Sequence, residues 1–248
     1  MITIKSTHQI EKMRVAGKIT GDALKLLETK IRPGISTWEL DKIAYDFIIS
    51  QGAKPNFLHY NGFPGSICAS LNDAVVHGIP SKDVILKDGD IISIDMGAVK
   101  DGYHGDAART FAVGTITPEA QRLIDVTRES FFEGIKNIKH GAKLGDVSYG
   151  IQAYVEDHGY SVVRDLVGHG IGTNLHEDPS VPNFGRKGRG LKLAAGMTLA
   201  IEPMVNAGGY EVFLLDDDWT VITADGSLSA HYENTVLVTK DGYEILTL

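Results

Sequence analysis

Two aspartates flank one predicted turn in residues 94–111, IDMGAVKDGYHGDAARTF. The apolar run before Asp95 predicts a buried strand, and the Asp101-Gly102 step is a strong hairpin-turn signal. Folded about that step, Asp95 and Asp106 become diagonal neighbours across the two strands; with the turn centred one residue earlier, they lie directly opposite. Both registers keep the two carboxylates on one face of the hairpin, because side chains alternate with a period of two.

Two carboxylates on an apolar hairpin restrict what can surround them, because they repel each other and their burial is costly unless a positive group joins them. Three other segments bring polar groups into apolar surroundings. VGHGIGTNLHEDP places His169 between glycines, which allow close backbone approach, and His176 further along. MTLAIEPMV ends an apolar run at Glu202, and SAHYENTVLVT begins one at Glu233.

Each of these residues also has an ordinary structural explanation. An acid beside a strand is usually a solvated or turn residue, a histidine between glycines is usually in a loop, and His77 in VVHGIP can be a hydrogen-bonded turn residue. Four acids in strand contexts are hard to explain by packing, because buried acids need partners and these runs contain few lysines or arginines. Divalent metals would supply the missing charge.

The kind of metal site follows from the donor types. Oxygen-rich ligation with an imidazole suits Mn, Fe(II), Co or Zn in a catalytic site and not a closed structural zinc site. Two ions roughly 3.5–4 Å apart would let carboxylates bridge them and share a hydroxide. No H-E-x-x-H, G-x-S-x-G, P-loop or C-x-x-C motif is present to indicate another chemistry.

Composition limits the class of protein. The net charge of -8 argues against DNA or other nucleic acid as the main partner. The single cysteine, Cys68, excludes an internal disulfide framework and fits a reducing compartment. No apolar run is long enough to cross a membrane, and the first residues lack a signal-peptide core. We therefore expect a cytoplasmic protein that does not bind membranes.

The chain organisation predicts an α+β protein. Helical spacing covers residues 7–30, 36–51, 117–139 and 145–156, with strands near 67–70 and 91–96. Each half of the chain follows the order helix, glycine turn, helix, strands, which suggests two pseudo-equivalent αβ halves sharing one sheet. Residues 179–190, rich in glycine and proline, are predicted to form an exposed loop. No low-complexity linker interrupts the chain, so a single catalytic domain over residues 1–248 is expected.

Four segments and one ordered residue set resemble a known family. DGYHGDAARTF, VGHGIG, LHEDP and AIEPMV are similar to segments of the type I methionine aminopeptidases, and the resemblance covers nearly the whole chain. It is strongest to the bacterial short form, because 248 residues leave no room for the N-terminal domain of prolidases or for a type II insert. The resemblance implies the pita-bread fold: two pseudo-symmetric αβ halves sharing a curved antiparallel sheet, with helices on its outer face. It also implies five metal ligands: Asp95, Asp106, His169, Glu202 and Glu233.

The resemblance further implies roles for these residues. Asp95 would chelate one of two divalent ions, Asp106 and Glu233 would bridge both, and His169 and Glu202 would complete the set. A shared hydroxide would attack the carbonyl that follows the first methionine of a nascent polypeptide. The second residue of that polypeptide would need to be small and uncharged.

Three residues would act directly on the substrate in such an enzyme. Glu202 would carry the proton as general base and then acid, and His176 would hydrogen-bond the carbonyl oxygen as it becomes an oxyanion. His77 would contact the scissile nitrogen or the next residue.

The substrate methionine would lie in a pocket of aromatic, sulfur and aliphatic groups, which suit a flexible thioether. Phe63 and Leu175 depart from the tyrosine and phenylalanine often found in the bacterial pattern, which bears on pocket shape. A monovalent cation is expected near Asn72 and Ser229. The resemblance implies these pocket residues: Tyr60, Phe63, Cys68, Leu175 and Trp219.

Two other functions compete with this interpretation. An X-prolyl dipeptidase on the same scaffold would cleave before proline, and a binding module would have lost its metals, although all five ligands are present here. The enzyme is expected to be a monomer that meets nascent chains near the ribosomal exit tunnel. A solvated loop is the simpler explanation for a small basic patch that could touch ribosomal RNA: Arg186, Lys187, Arg189 and Lys192.

Overall fold

A computed structural model describes residues 2–248, and its four helices match the four predicted ones. The helices are α1 (Thr7–Glu28), α2 (Thr37–Ser50), α3 (Pro118–Ile135) and α4 (Leu144–Asp157), with a short 3-10 turn at Tyr60–Gly62. Ser6 and Ser36 cap α1 and α2 with reciprocal capping boxes, the second of which was predicted. The helix α3 ends four residues before its predicted limit of 139. Within residues 2–248, none of the helices has the length and apolar character needed to cross a membrane.

Fifteen strands make up the β structure of residues 2–248, and all except the ten-residue β4 and β5 are short. In chain order they are β1 (Lys54–Pro55), β2 (Ile67–Leu71), β3 (Ala74–Val76), β4 (Ile91–Lys100), β5 (Tyr103–Ala112), β6 (Ser161–Val162), β7 (Gly168–Gly170), β8 (Glu177–Val181), β9 (Thr198–Ile201), β10 (Met204–Asn206), β11 (Val212–Leu214), β12 (Val221–Thr223), β13 (Ser229–His231), β14 (Asn234–Val238) and β15 (Tyr243–Ile245). The start of the predicted loop at 179–190 is wrong, because residues 179–181 belong to β8, where the side chain of Val181 is buried. Residues 186–190 of that loop are exposed as predicted.

The strands pair antiparallel throughout and form four hydrogen-bonded sheets. In the first half, β4 pairs with β5 along its length on one side, and with β2 and then β1 on the other; in the second, the order is β15-β14-β9-β7-β8. Backbone hydrogen bonds between Ala108 and Glu233 connect these two larger sheets. Strands of the two halves therefore join at this point and again where β12 pairs with β3, as expected for a sheet that both halves share.

Helices cover one side of the strands. The helix α1 packs on β4 and β5, and α3 packs on α4, β10 and β13. The close approach of α1 to the hairpin needs glycine at Gly105, where a Cβ would lie 2.8 Å from the Gly17 Cα. At Gly17 a Cβ would lie 2.2 Å from Leu246 O, so α1 also packs closely on the C-terminal residues. The arrangement confirms the predicted α+β class, with helices outside and polar strand ends gathered inside.

Candidate metal centre

All of the predicted site residues line one cavity of about 210 Å³ between the two halves. The cavity walls also include Phe57 and Asn61, which the sequence interpretation did not single out. Neither residue has a chemical signature in the sequence, because an aromatic and an amide in a loop are common without a role. The twelve predicted residues in the wall are Tyr60, Phe63, Cys68, His77, Asp95, Asp106, His169, Leu175, His176, Glu202, Trp219 and Glu233.

The β4–β5 hairpin positions the first two acids. Its turn is at Asp101-Gly102, so Asp95 pairs with Ala108 and Asp106 pairs with Gly97. Asp95 and Asp106 are therefore diagonal neighbours on one face, which is the first of the two predicted registers, and the directly opposed register does not occur. Thr235 of β14 fixes Asp106 further, because its hydroxyl accepts from Asp106 N at 3.0 Å and donates to Asp106 O at 3.0 Å.

His169 presents one ring nitrogen to the acids. Its Nδ1 donates to the carbonyl of Gly170 at 2.8 Å, which leaves the lone pair on Nε2. That Nε2 lies 3.8 Å from Asp106 Oδ2 and 3.7 Å from Glu202 Oε1. Burial, together with the nearby His176, lowers the pKa of His169 to about 4, so the imidazole is neutral at physiological pH. A neutral imidazole with a free Nε2 is a metal ligand by its chemistry.

The four carboxylates lie in a buried space where they cannot all be charged without a cation. Burial, the largest cause, raises the pKa of Asp95 to about 7 and that of Glu202 to about 8. Burial and then the neighbouring carboxylates raise the pKa of Asp106 and of Glu233 well above the usual range. Divalent cations would reverse these shifts, because an opposite charge favours the ionised form.

Unsatisfied oxygens point to the same conclusion. Among residues 2–248, Asp95 Oδ1, Asp106 Oδ1 and Glu233 Oε1 are buried without a hydrogen-bond partner. Ligand atoms of Asp106, His169 and Glu233 lie within 4.8 Å of one another, a spacing that one ion can bridge. Buried polar atoms normally have hydrogen-bond partners, so a divalent metal would supply the partner that these oxygens lack. Carboxylate oxygens and imidazole nitrogens are also donor types that bind such metals.

The second half carries Glu202 and Glu233 on adjoining strand ends. Glu202 directly follows β9, and the Nδ2 atom of Asn183 donates to its backbone carbonyl at 3.0 Å. The imidazole of His231 is fully buried, with Nε2 3.6 Å from Glu202 Oε2. The sequence interpretation missed His231, although its two-residue spacing from Glu233 in an extended run would have placed both on one face.

Arg109 ties the backbone around Glu233 to the hairpin. Its guanidinium donates to the carbonyls of Glu233 and, at 2.7 Å, of Ala108, and to Asn234 Oδ1 at 2.7 Å. It also lies over the ring of Tyr232, with 4.2 Å to the ring centroid. The Glu233 backbone is therefore held from the helix side of the sheet while its carboxylate faces the cavity.

Apolar and aromatic groups form the other end of the cavity. Phe63 and Trp219 meet edge to face, with ring centroids 5.1 Å apart, and Leu175 is buried beside them. Burial, followed by Asp95 and Asp106, raises the pKa of the Cys68 thiol well above its usual range, so Cys68 is a neutral apolar wall. Phe63 and Leu175 keep this wall apolar where the bacterial pattern often has tyrosine and phenylalanine.

Two histidines face the space between the apolar end and the acids. The Tyr60 hydroxyl lies 2.7 Å from His176 Nδ1, and the ring of His176 meets that of His169 with centroids 4.2 Å apart. His77 has a left-handed backbone, with φ of 60°. Burial, then the nearby His231 and His176, lowers the pKa of His77 to about 4. Both histidines are therefore neutral groups that can donate or accept one hydrogen bond.

The predicted cation residues also adjoin each other. Ser229 N donates to Asn72 O at 2.8 Å, and Asn72 has a left-handed backbone, with φ of 52°. The monovalent ion itself stays a prediction.

Comparison with known proteins agrees with the predicted resemblance. The family model of metallopeptidase family M24 matches residues 11–240. A methionine aminopeptidase from Clostridium acetobutylicum is 58% identical over 248 residues, which cover 100% of this chain and 99% of that protein. A crystal structure of methionine aminopeptidase from Rickettsia prowazekii superposes with a TM-score of 0.98 at 48% identity and full coverage of both chains.

A neighbour of the X-prolyl kind fits less completely. The Xaa-Pro dipeptidase from Bacillus anthracis superposes with a TM-score of 0.80 at 26% identity, covering 98% of this chain but 61% of that one. The extra length agrees with the additional domain expected for that class. Together, these neighbours confirm the predicted pita-bread fold class.

Proposed function

Because the chain belongs to the metallopeptidase family M24, as an enzyme of its methionine aminopeptidase group, we propose that it removes the first methionine from newly made proteins whose second residue is small and uncharged. This proposal rests on one observation: a single cavity combines a polar end with an apolar end. Five metal-binding groups lie at one end, and an apolar wall of Phe63, Cys68 and Trp219 lies at the other.

Two divalent ions would be held by Asp95, Asp106, His169, Glu202 and Glu233. The support is the set of unpartnered buried oxygens and the free Nε2 of His169. When bound, such ions lower the pKa of a water to near neutrality and polarise the substrate carbonyl. Co, Mn, Fe(II) and Zn all suit this donor set.

Glu202 is the proposed proton carrier. Its carboxylate is buried, it lies against His169 on one side and His231 on the other, and its pKa is raised to about 8 without a cation. Beside bound metals, this carboxylate could accept the proton that the attacking water releases. It can then return that proton to the leaving amine, as general base and then general acid.

His176 is the proposed donor to the carbonyl oxygen. The Tyr60 hydroxyl can donate to His176 Nδ1, and in that tautomer the proton of a neutral His176 is on Nε2. Burial lowers the pKa of His176, which keeps the ring neutral. A neutral N–H aimed into the cavity stabilises the developing oxyanion without a competing positive charge beside the metals.

The cavity also accounts for the proposed substrate preference. A volume of about 210 Å³ accommodates one methionine side chain against aromatic and sulfur groups. The free α-amine would lie beside the carboxylates, so only a chain terminus fits. His77, with its constrained backbone, would crowd a large second residue.

The decisive experiment measures cleavage of Met-Ala-Ser and of Ala-Pro-Ala after chelation and re-addition of single metals. We expect metal-dependent methionine release that is lost in Asp106→Asn. Cleavage of the proline peptide alone would move the enzyme to the X-prolyl class. Metal binding without cleavage of either peptide would favour a binding module.

We also propose that the protein acts as a cytoplasmic monomer with one catalytic domain, on N-termini of nascent chains near the ribosome. Support for a ribosome contact is an exposed basic surface formed by Lys143 and the predicted loop cations, which backbone hydrogen bonds such as Gly145 N to Arg189 O hold together. Charge reversal of Arg186, Lys187, Arg189 and Lys192 should abolish co-sedimentation with ribosomes; unchanged co-sedimentation would contradict the contact.

A potassium-dependent rise in melting temperature that Ser229→Pro removes would support the monovalent cation near Asn72.

A further inference from the structure

The hairpin of β11 and β12 exposes several large apolar side chains. Tyr210, Phe213, Leu214 and Leu215 are 38%, 60%, 59% and 40% exposed. Large apolar side chains are usually scattered singly on a surface, whereas here four fall within six residues. Three aspartates follow at residues 216–218, so the surface is apolar with an acidic end.

The same hairpin has a free strand edge. The sheet order is β11-β12-β3, which leaves one side of β11 unpaired. Leu215 N donates to Thr220 O, and Ala224 N donates to Glu211 O, so the backbone groups of residues 211, 213 and 215 face β12. Because these directions alternate in an antiparallel ladder, the N–H and C=O groups of Val212 and Leu214 face outward. An exposed edge of this kind is a template for one more strand.

This edge is continuous with the mouth of the cavity. The tip of the hairpin is fixed by Asp217, whose Oδ1 accepts from the backbone N–H groups of Trp219 and Thr220. Trp219 reaches back from the tip to form the cavity wall with Phe63. On the far side of the small sheet, β3 leads directly into His77, which also lines the cavity.

The distance from β3 to the edge of β11 suits an extended polypeptide. Neighbouring strands lie about 4.8 Å apart, so the edge of β11 is roughly 10 Å from β3, a span of about three extended residues. A polypeptide whose first methionine fills the cavity and whose second residue passes His77 would reach the edge at about its fifth residue.

We propose that the free edge of β11 docks the substrate polypeptide itself, as an added strand a few residues beyond the scissile bond. The outward groups of Val212 and Leu214 would pair with its main chain, and Phe213 and Leu215 would contact alternate apolar side chains. Asp216 and Asp218 favour a basic residue just before that segment. This inference rests on the proposed function and extends its substrate to an unfolded chain of at least seven residues.

A second copy of this protein fits the edge less well. The strand β11 has three residues, and a stable dimer interface buries more than about 1,000 Å² in total. Three residues and their flanking side chains fall short of that area, whereas a flexible peptide tethered by its terminus in the cavity gains from even a small second contact.

The test compares Met-Ala-Ser with the eight-residue peptide Met-Ala-Ser-Lys-Val-Thr-Val-Thr, with and without N-methyl groups on residues five and seven. We expect a KM about tenfold lower for the long peptide, because two or three additional main-chain hydrogen bonds form. N-methylation or Phe213→Ser should remove this advantage and leave tripeptide turnover within about twofold. Tyr243→Ser, on the edge strand β15 and 39% exposed, is the matched control and should change neither peptide.

An equal KM for the long and short peptides, or an equal rise in KM for both peptides in Phe213→Ser, would contradict docking at β11. A concentration-dependent dimer in sedimentation that Phe213→Ser dissolves would assign the edge to a second copy and also overturn it. Fluorescence anisotropy of the labelled long peptide separates this inference from the proposed function. If Met-Ala-Ser is not cleaved but Phe213→Ser weakens binding of the long peptide, the docking surface stands and the proposed reaction fails.

Discussion

The backbones of Ala108 and Glu233 exchange hydrogen bonds of 2.9 and 3.4 Å, and this pair joins the hairpin of the first half to β14 of the second. Ala108 lies across from Asp95 in the β4–β5 ladder, and Glu233 carries a candidate metal ligand of the other half. The separation between ligands of the two halves therefore depends on this backbone pair, together with the hydrogen bonds between Thr235 and Asp106. Arg109 reinforces that contact by donating to the carbonyls of both residues.

Removal of the Arg109 brace should weaken metal binding. In Arg109→Gln, the Glu233 carbonyl and Asn234 lose charged donors, so we expect metal affinity to fall by about 10- to 100-fold in isothermal titration calorimetry. Arg128→Gln, on the exposed surface of α3, is the control and should bind metal like the wild type. Unchanged affinity in Arg109→Gln would show that the backbone pair alone holds Glu233.

His231 should orient Glu202. Replacement by leucine removes the polar neighbour 3.6 Å from Glu202 Oε2, and we expect kcat for Met-Ala-Ser to fall about tenfold with little change in KM. His231→Gln retains an amide donor and should recover most of the loss. The idea fails if leucine and glutamine variants have the same kcat.

The four raised carboxyl pKa values predict how the metal-free protein responds to pH. A carboxyl group whose pKa is higher in the folded state binds its proton more tightly there, so stability falls as pH rises from about 4 towards 8, where Asp95 and Glu202 ionise. Melting temperatures of chelated protein should therefore fall across this range, and re-added metal should reverse the trend.

The substitution Asp95→Asn distinguishes charge repulsion among the carboxylates from metal ligation by Asp95. Asp95→Asn removes one repelling charge, so we expect it to raise the melting temperature of the chelated protein at pH 8. The same change should lower that of the metal-loaded protein, because a ligand is lost. A decrease in both forms would mean that Asp95 is structural.

The Lys5–Glu177 pair predicts that stability falls as pH falls, which is the opposite of the trend expected for the carboxyl groups of the metal-free site. The Lys5 Nζ atom lies 2.6 Å from Glu177 Oε2, and both side chains are buried. Burial alone would raise the pKa of Glu177, but hydrogen bonds from Lys5, Thr3 and Asn174 outweigh it and lower the pKa from 4.5 to about 2. The pair therefore stabilises the fold above pH 4.5, and its contribution is lost as pH falls towards 2.

Calorimetric melting of chelated protein between pH 2 and 5 checks this expectation, because Asp95 and Glu202 stay protonated in that window. Glu177→Gln should flatten the dependence of the melting temperature on pH in that window. Asp46→Asn breaks an exposed ion pair with Lys42 and should leave the slope unchanged. Parallel curves for wild type and Glu177→Gln would contradict the assigned pair.

Gly97 should tolerate no side chain. A Cβ there would lie 2.3 Å from the Gly105 carbonyl and 2.3 Å from the Asn56 amide, so the hairpin or the Asn56 loop must move. We expect Gly97→Ala to reduce the free energy of unfolding by about 1–3 kcal/mol in urea titrations. Gly242→Ala, whose Cβ would meet only Thr239 Oγ1 at 4.0 Å, should be close to neutral.

Local signals predicted the first-half hairpin well. The Asp-Gly step indicated the turn, and the period of two placed Asp95 and Asp106 on one face in both predicted registers, the first of which the structure has. The helix starts predicted at residues 36 and 117 likewise lie within one residue of the observed ones. These features depend on neighbours in sequence, so single-chain patterns suffice.

Features that depend on contacts between the halves were less accessible. The roles of Arg109 and His231 require knowledge of which strands adjoin, and no local pattern gives that. The strand β8 was missed at residues 179–181, because proline is usually excluded from strands, yet Pro179 lies in one beside β7. The exposed edge of β11 depends on which strands pair in the sheet. The apolar run VFLL carries no local pattern that predicts this pairing.

The joint between Ala108 and Glu233 also bears on the order of assembly. Candidate ligands Asp95 and Glu233 are separated by more than half of the chain, so neither half can form the metal site alone. Closing so long a loop is slow compared with forming the hairpin, which makes the joint a late event in folding. Metal uptake during refolding would therefore report the meeting of the two halves, and a half-made chain on the ribosome would carry no peptidase activity towards its neighbours.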